Sequence, residues 1–302
     1  QDGRIKPTVM APGVDVVSAS DDACGTMTLS GTSMAAPVVA GAAALVRQYF
    51  TDGYYPTGNR RAQDSLTPSA ALLKAVLIAG AQPMRGANTD GPIPSTGQGF
   101  GRVDLSQALA FADDDHHLWV RDENDGLEPG GYISFELRLA APGPLKIALT
   151  WMDVPGAPGA ERALVNDLDL EVEGPSGRYH GNALANGAST PGGNSDTVNV
   201  EEIVSLPRAT AGKYTVTVRG TNVPLGPQPF ALAVVSPSVT VRELGGSPGQ
   251  ASGSAGTLGA DGTASGDHAG GCQAAGGSDT VSLCIAVATL LARRRRRTEG
   301  RA

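Results

Sequence analysis

Gly31-Thr-Ser-Met-Ala-Ala-Pro37, running on into Val38-Val-Ala-Gly-Ala-Ala-Ala-Leu45, is the stretch from which the fold can be read. The apolar run from Met34 to Phe50 is too long for a strand and predicts a helix. Thr32 and Ser33 stand at its head, where hydroxyl side chains are favoured as caps. A serine in the first turn of a helix also lies beside free backbone amides and the positive end of the helix dipole, which favour a developing oxyanion. Gly31 allows a tight turn, Ala35 and Ala36 allow close approach to a sheet, and Gly41 with Ala42, Ala43 and Ala44 would extend that close-packed face along a buried helix. Upstream, Val14-Asp-Val-Val-Ser-Ala reads as a strand, so the grammar is α/β.

The same grammar continues to about Phe111. Thr67-Pro68 announces a second helix that runs through Ala70-Ala-Leu-Leu-Lys-Ala-Val-Leu-Ile-Ala and stops at Gly80, and a shorter third helix starts at Asp104. Around Asp113 the period changes to two. Tyr132-Ile-Ser-Phe-Glu-Leu-Arg-Leu, Leu145-Lys-Ile-Ala-Leu-Thr-Trp, Leu168-Asp-Leu-Glu-Val, Tyr214-Thr-Val-Thr-Val and Phe230-Ala-Leu-Ala-Val alternate apolar and polar between Gly, Pro and Asn breaks. This predicts an all-β antiparallel sandwich, jelly-roll-like. The expected division is an α/β segment over 1–112, a sandwich over 113–242, a flexible Gly/Ser-rich linker over 243–277 and an apolar, Arg-rich tail over 278–302. Bulky apolar groups are nearly absent from the linker, so it is expected to be disordered.

Composition narrows the function classes. With 302 residues and 40% hydrophobic content the chain can bury a real core, while 41 glycines and 21 prolines argue against a helical bundle. The net charge of −7 includes an arginine-rich last ten residues, which leaves −12 on residues 1–292. An acidic body argues against a nucleic-acid partner and leaves carboxylates free for hard cations. Cys24, Cys272 and Cys284 form neither a disulfide framework nor a metal-site spacing.

Gly31-Thr-Ser-Met-Ala-Ala-Pro37, with Lys6-Pro-Thr-Val-Met-Ala-Pro-Gly-Val-Asp-Val-Val-Ser-Ala before it and the small-residue run after it, resembles the region of the catalytic serine in the subtilisin-like serine proteases. Gly97-Gln-Gly-Phe-Gly-Arg-Val-Asp is similar to the stretch that follows the last core helices of that family, so the resemblance covers about residues 4–111. It implies a partial doubly wound parallel sheet, protein or peptide substrates, and Ser33 as the nucleophile of an acyl-enzyme mechanism. The family's acid and base precede the serine in the order Asp, His, Ser. Here His116, His117, His180 and His268 all follow Ser33, and the family's oxyanion asparagine has no counterpart. Asp15 and Asp22 lie in the strand and loop leading to the serine and are not proposed as the acid. The resemblance therefore implies a C-terminal portion of a subtilase, inactive alone, whose partner is the N-terminal catalytic half. A non-catalytic surface module with a remnant protease core is the competing reading, separated by phosphonofluoridate labelling of Ser33.

Leu164-Val-Asn-Asp-Leu-Asp-Leu, Pro175-Ser-Gly-Arg-Tyr-His-Gly-Asn, Ser195-Asp-Thr-Val-Asn-Val-Glu and Pro227-Gln-Pro-Phe-Ala-Leu resemble the β-sandwich appended to some subtilases. With Leu168, Leu170 and Val172 inward, Asp167, Asp169 and Glu171 share the outer face. Asn166, Asn182 and Asp196 complete an oxygen-rich group suited to calcium, with a solvated acidic edge as the alternative. The metal-site residues expected from this are Asp167, Asp169 and Asp196. Gly271-Cys272, its glycine-rich spacer, the apolar stretch from Val281 and the block Arg293 to Arg297 resemble the C-terminal sorting signals of myxobacterial surface proteins. That resemblance implies a secreted or surface-attached protein held through Cys272, with the arginines on the cytoplasmic side.

Overall fold

The computed structural model describes residues 2–21, 24–85 and 93–249. Most of the linker, the apolar tail, Cys272, Cys284 and His268 lie outside the described residues, as does Asp22. The described residues all fall within one compact unit.

The chain enters along residues 5–13 and then makes a short antiparallel hairpin, β1 (Val16–Ala19) with β2 (Thr26–Leu29). Helix α1 (Thr32–Thr51) follows, then α2 (Ala70–Gly80) and the single turn α3 (Leu105–Ala108). The cap of α2 is Ser69, two residues after the predicted Thr67, because its hydroxyl reaches the amide of Leu72 at 3.0 Å. Asp104 caps α3 as the sequence predicts, accepting from the Ser106 amide. Among the described residues of 1–112 the paired strands are antiparallel, and the expected parallel sheet is represented by one parallel bridge, Met10 with Arg102.

Beyond residue 116 two antiparallel sheets share one core. The first is ordered β10 (Glu201–Ala209), β5 (Gly143–Trp151), β12 (Gln228–Ser236), β3 (His117–Leu127). The second is ordered β13 (Val239–Ser247), β4 (Tyr132–Leu139), β11 (Gly212–Asn222), β6 (Asp167–Gly174), β7 (Gly177–His180). A minor hairpin joins β8 (Leu184–Ala185) to β9 (Ala188–Ser189). The five stretches of period two all become strands, and their apolar residues meet: Ile133, Phe135, Leu137, Leu168, Leu170, Val172, Val216 and Val218 from one sheet face Ile147, Leu149, Leu232 and Val234 from the other, joined there by Val204 of β10.

The four-stranded sheet is buried on both faces. Its second face, with Val120, Ala148, Ile203, Ala231 and Ala233, packs against Leu72, Ala75, Val76 and Ala79 of α2. That explains why α2 is apolar but for Lys74: one side meets the sheet and the others meet α1 and α3. Gly80 lets α2 cross α3, since a Cβ there would sit 2.4 Å from the Cβ of Ala108. Polar bonds add to this seam. The Thr150 hydroxyl donates to the Ala71 carbonyl at 2.7 Å, Lys146 Nζ donates to the Ala81 carbonyl at 2.6 Å, and Asp122 accepts from both the amide and the hydroxyl of Ser69. Only burial acts on Lys146, which lowers its pKa to about 8.

Candidate functional site

Ser33 is the second residue of α1 and is exposed. The chain reaches it through Gly31, whose φ of 151° is in the range that favours glycine and whose amide donates to the Gly13 carbonyl at 2.7 Å. The Gly31 carbonyl then accepts from Met34 and Ala35, closing the first helical bonds. The N-cap carries no side-chain hydrogen bond and the first turn holds no acidic residue, so no acid of the helix itself competes for its positive end. The amides of Thr32 and Ser33 precede the first helical donor and have no carbonyl within the helix to bond, so they are available to an anion. Gly13 faces this turn closely: a Cβ on it would lie 2.7 Å from the Gly31 carbonyl oxygen and 3.1 Å from the Cβ of Ala35. Ala35 thus meets the loop residue Gly13 and not the sheet expected from its small size, and Ala36 is exposed.

One expectation is corrected here. The small-residue run is not buried throughout: Gly41 has open space around it and Ala44 is exposed, whereas Ala42 is buried with Val46, Tyr49 and Phe50 and Ala43 packs partly against the same core. Apolar side chains on the segments before and after Ser33 are uncovered, with Val14 75% and Val17 64% exposed and Met27, Leu29 and Val38 also open. Asp15 has a local role, its amide and carboxylate both engaging the Ser30 hydroxyl.

None of the described histidines belongs to this turn. His116 Nε2 lies 3.1 Å from the Leu109 carbonyl, next to Ala110, whose carbonyl accepts from Tyr49. Tyr49 is sixteen residues along α1 from Ser33, roughly 24 Å at the helical rise. His117 opens β3 and His180 closes β7, both in the two-sheet region.

The acidic group of the two-sheet region differs from a solvated edge. Leu168, Leu170 and Val172 point inward as expected, but Asp167 and Asp169 are only 7% and 5% exposed. Asp169 accepts from the Thr221 hydroxyl through one oxygen, and the other oxygen, like Asp167 Oδ1, is buried without a partner. Burial, with Asp169 and Asp196 nearby, pushes the Asp167 carboxyl up to about 6. Asp196 is used differently. Its two oxygens accept from the amides of Val198 and Asn199 and from the side-chain amides of Asn182 and Asn199, which ties the loop before β10.

Sequence reasoning missed Glu202, which is fully buried inside the two-sheet core. One oxygen accepts from the Leu170 amide at 2.7 Å, finishing the edge of β6 where β7 has ended, and the other has no partner. Burial raises its pKa well above the usual carboxylate range, with Asp169, Asp196 and Asp167 adding to the effect. The signal was present in the sequence as Glu201-Glu202 within an apolar run, Val200 to Leu206, but the pair reads as solvent-facing. Among the described residues no three His, Cys, Asp or Glu side chains are grouped so as to hold a metal ion.

Residues 1–101 match the subtilase family. The chain is 30% identical over 271 residues to the Dictyostelium discoideum serine protease/ABC transporter B family protein tagA, covering 81% of this chain and 15% of that protein. That similarity is too long to end at residue 101 and extends into the two-sheet region. It is also 38% identical over 127 residues to the C5a peptidase of Streptococcus pyogenes, and 38% identical over 106 residues to the subtilisin-like protease SBT6.1 of Arabidopsis thaliana. These cover 41% and 35% of this chain and 10% and 9% of the relatives. The chain thus spans about 15% or less of the length of these relatives. The turn that presents Ser33 accordingly lies within the segment that matches the subtilase family, in a chain similar to subtilisin-like proteins.

Proposed function

We propose that Ser33 is the nucleophile of a subtilisin-like serine endopeptidase that cleaves peptide bonds in proteins. The observation that carries this reading is the exposed Ser33 hydroxyl on the glycine turn at an acid-free helix N-terminus. In the reaction, Oγ attacks the scissile carbonyl carbon, its proton passes to a histidine base, and the oxyanion takes hydrogen bonds from backbone amides at the helix start. The amine then leaves with that proton, and water releases the acyl group from Ser33. The base and its orienting aspartate come from residues outside these 302, and the chain alone is inactive. The uncovered apolar side chains around β1, β2 and the first half of α1 suit a surface on which the rest of the catalytic domain packs, completing the parallel sheet. The two-sheet region is read as the appended β-sandwich.

The test is labelling of the full-length protein with a fluorophosphonate, followed by mass spectrometry of the peptide that contains Ser33. The adduct is expected on Ser33 and absent in Ser33→Ala. A folded full-length protein with no adduct would favour a non-catalytic surface module instead. Attachment at the cell surface through Cys272 belongs to the same proposal and rests on sequence resemblance.

Calcium is proposed as a structural ion of the two-sheet region. Its support is the buried, unpartnered oxygens of Asp167 and Asp169, since buried anionic oxygens are costly unless paired or metal-bound. Asp196 fits less well, because both its oxygens already accept hydrogen bonds. Calcium accepts carbonyl and water oxygens as further ligands. A melting temperature raised by calcium, lowered by chelator and insensitive to both in Asp169→Asn is the expected result; equal melting with and without calcium in the unaltered protein would overturn it.

A further inference from the structure

We propose that Glu201, on the edge strand of the two-sheet region, is a positioning residue for the Ser33 turn. The inference rests on the reading of Ser33 as the nucleophile, and it adds a second region of the chain to the catalytic apparatus. Glu201 is completely buried, and its Oε1 accepts from Lys6 Nζ at 2.8 Å, Thr8 Oγ1 at 3.1 Å and Lys74 Nζ at 2.5 Å. Just before it, Asn199 Oδ1 accepts from the Ile5 amide at 2.7 Å, and Asn199 is itself held by Asp196. Residues 5–8 are therefore fastened to the start of β10 through one backbone amide and two side chains.

The fastened segment leads directly to the serine. Beyond Thr8 its backbone is laced to the glycine-rich turn: Phe100 donates to the Thr8 carbonyl at 2.8 Å, Met10 donates to Gly101 at 2.9 Å, and Val103 donates to Met10 at 2.9 Å. Gly99, with a φ of 56°, is needed for this approach, because a Cβ there would lie 2.0 Å from the Pro7 carbonyl oxygen. The segment ends at Gly13, whose carbonyl takes the Gly31 amide at 2.7 Å and whose missing side chain admits Ala35. A shift of residues 5–8 relative to β10 is passed through backbone hydrogen bonds to the residue that sets where α1 begins. Lys74, on α2, shares the same carboxylate oxygen, so one buried group holds both the strand that leads to the serine and the helix packed behind it.

The experiment compares the full-length protein with Lys6→Met/Thr8→Val, which removes the two side-chain bonds to the strand and leaves the Lys74–Glu201 pair in place to hold α2. Hydrogen exchange by mass spectrometry over residues 9–13 and 31–37 is the deciding readout, because it does not depend on catalysis. Exchange in both segments is expected to rise at least tenfold while α2 keeps its protection. In parallel, kcat is expected to fall by at least tenfold at nearly constant KM, with Lys6→Arg/Thr8→Ser retaining values near those of the unaltered protein. Unchanged exchange over 31–37 overturns the proposal, and so does an unchanged kcat in a catalytically active protein. If exchange rises but neither protein takes a fluorophosphonate on Ser33, the clamp stands as a device that orders the turn and it is the nucleophile reading that fails.

Discussion

Gly13→Ala is the sharpest single perturbation of the Ser33 turn. Gly13 has an ordinary backbone conformation, so the substitution acts through space alone. The added methyl would sit 2.7 Å from the Gly31 carbonyl oxygen and 3.1 Å from the Cβ of Ala35, where ordinary contact begins at 3.4 Å. Gly31 must therefore retreat by some 0.7 Å, and it cannot do so without stretching the 2.7 Å bond from its amide to Gly13 or carrying the start of α1 with it. Overpacking of this kind costs about 1–3 kcal/mol of stability. A displacement approaching 1 Å at a reacting group costs up to about a hundredfold in rate, so a 10- to 100-fold loss, about 1.4–2.8 kcal/mol of transition-state stabilisation, is expected. The assay is the second-order rate of fluorophosphonate labelling at Ser33, with a thermal melt of the same preparation. Labelling within twofold of the unaltered protein, in a variant that is folded, would refute the claim that Gly13 sets the position of the serine.

Other substitutions test the supports of the site. Leu72→Ala, at a fully buried position between α2 and the four-stranded sheet, should cost about 2–5 kcal/mol in chemical denaturation. Ser69→Ala removes the cap on the Leu72 amide and strands Asp122 Oδ1, and should cost about 1–2 kcal/mol by the same method. Gly41→Ala, with nothing within 4 Å of the new methyl, should stabilise the 302-residue chain by about 0.5–1 kcal/mol; a loss of stability there would mean that this face of α1 is covered. Lys146 gives the chain an alkaline signature. Its folded pKa of about 8 is below the 10.5 of the free side chain, so between these values the unfolded chain binds more protons and stability rises with pH. The rise should be on the order of 3 kcal/mol and much smaller in Lys146→Met, read from melts between about pH 7.5 and 11 at about half-unit steps.

How far the sequence could be read depended on where each residue's partners lie. Period-two stretches such as Tyr132–Leu139 and Phe230–Val234 were legible because one face of each meets the opposite sheet over its whole length. Strand β10 was not, because it is buried on both faces and begins with two glutamates, one turned to Lys6 and Lys74 and the other to the Leu170 amide. Only long-range partners make such residues compatible with a core, and no local pattern announces a partner some 195 residues away, as Lys6 is from Glu201. The Ser33 turn was legible for the opposite reason, since glycine, hydroxyl residues and alanines at a helix start have local causes. The same alanines misled for the rest of α1: small residues predict close packing along the whole run, but in the first half of that helix only Met34, Ala35 and Val39 are partly covered, and Ala36, Ala40 and Gly41 are exposed. Asp167 and Asp169 were correctly placed on the face opposite the core leucines, yet period alone could not tell that this face is buried as well.

The central claim is tested most directly by proteolysis of casein by the full-length, matured protein with and without a side-chain hydroxyl at position 33. The account predicts that Ser33→Ala keeps the melting temperature of the unaltered protein while casein cleavage falls by at least a thousandfold. Cleavage at an undiminished rate by the alanine variant would contradict it.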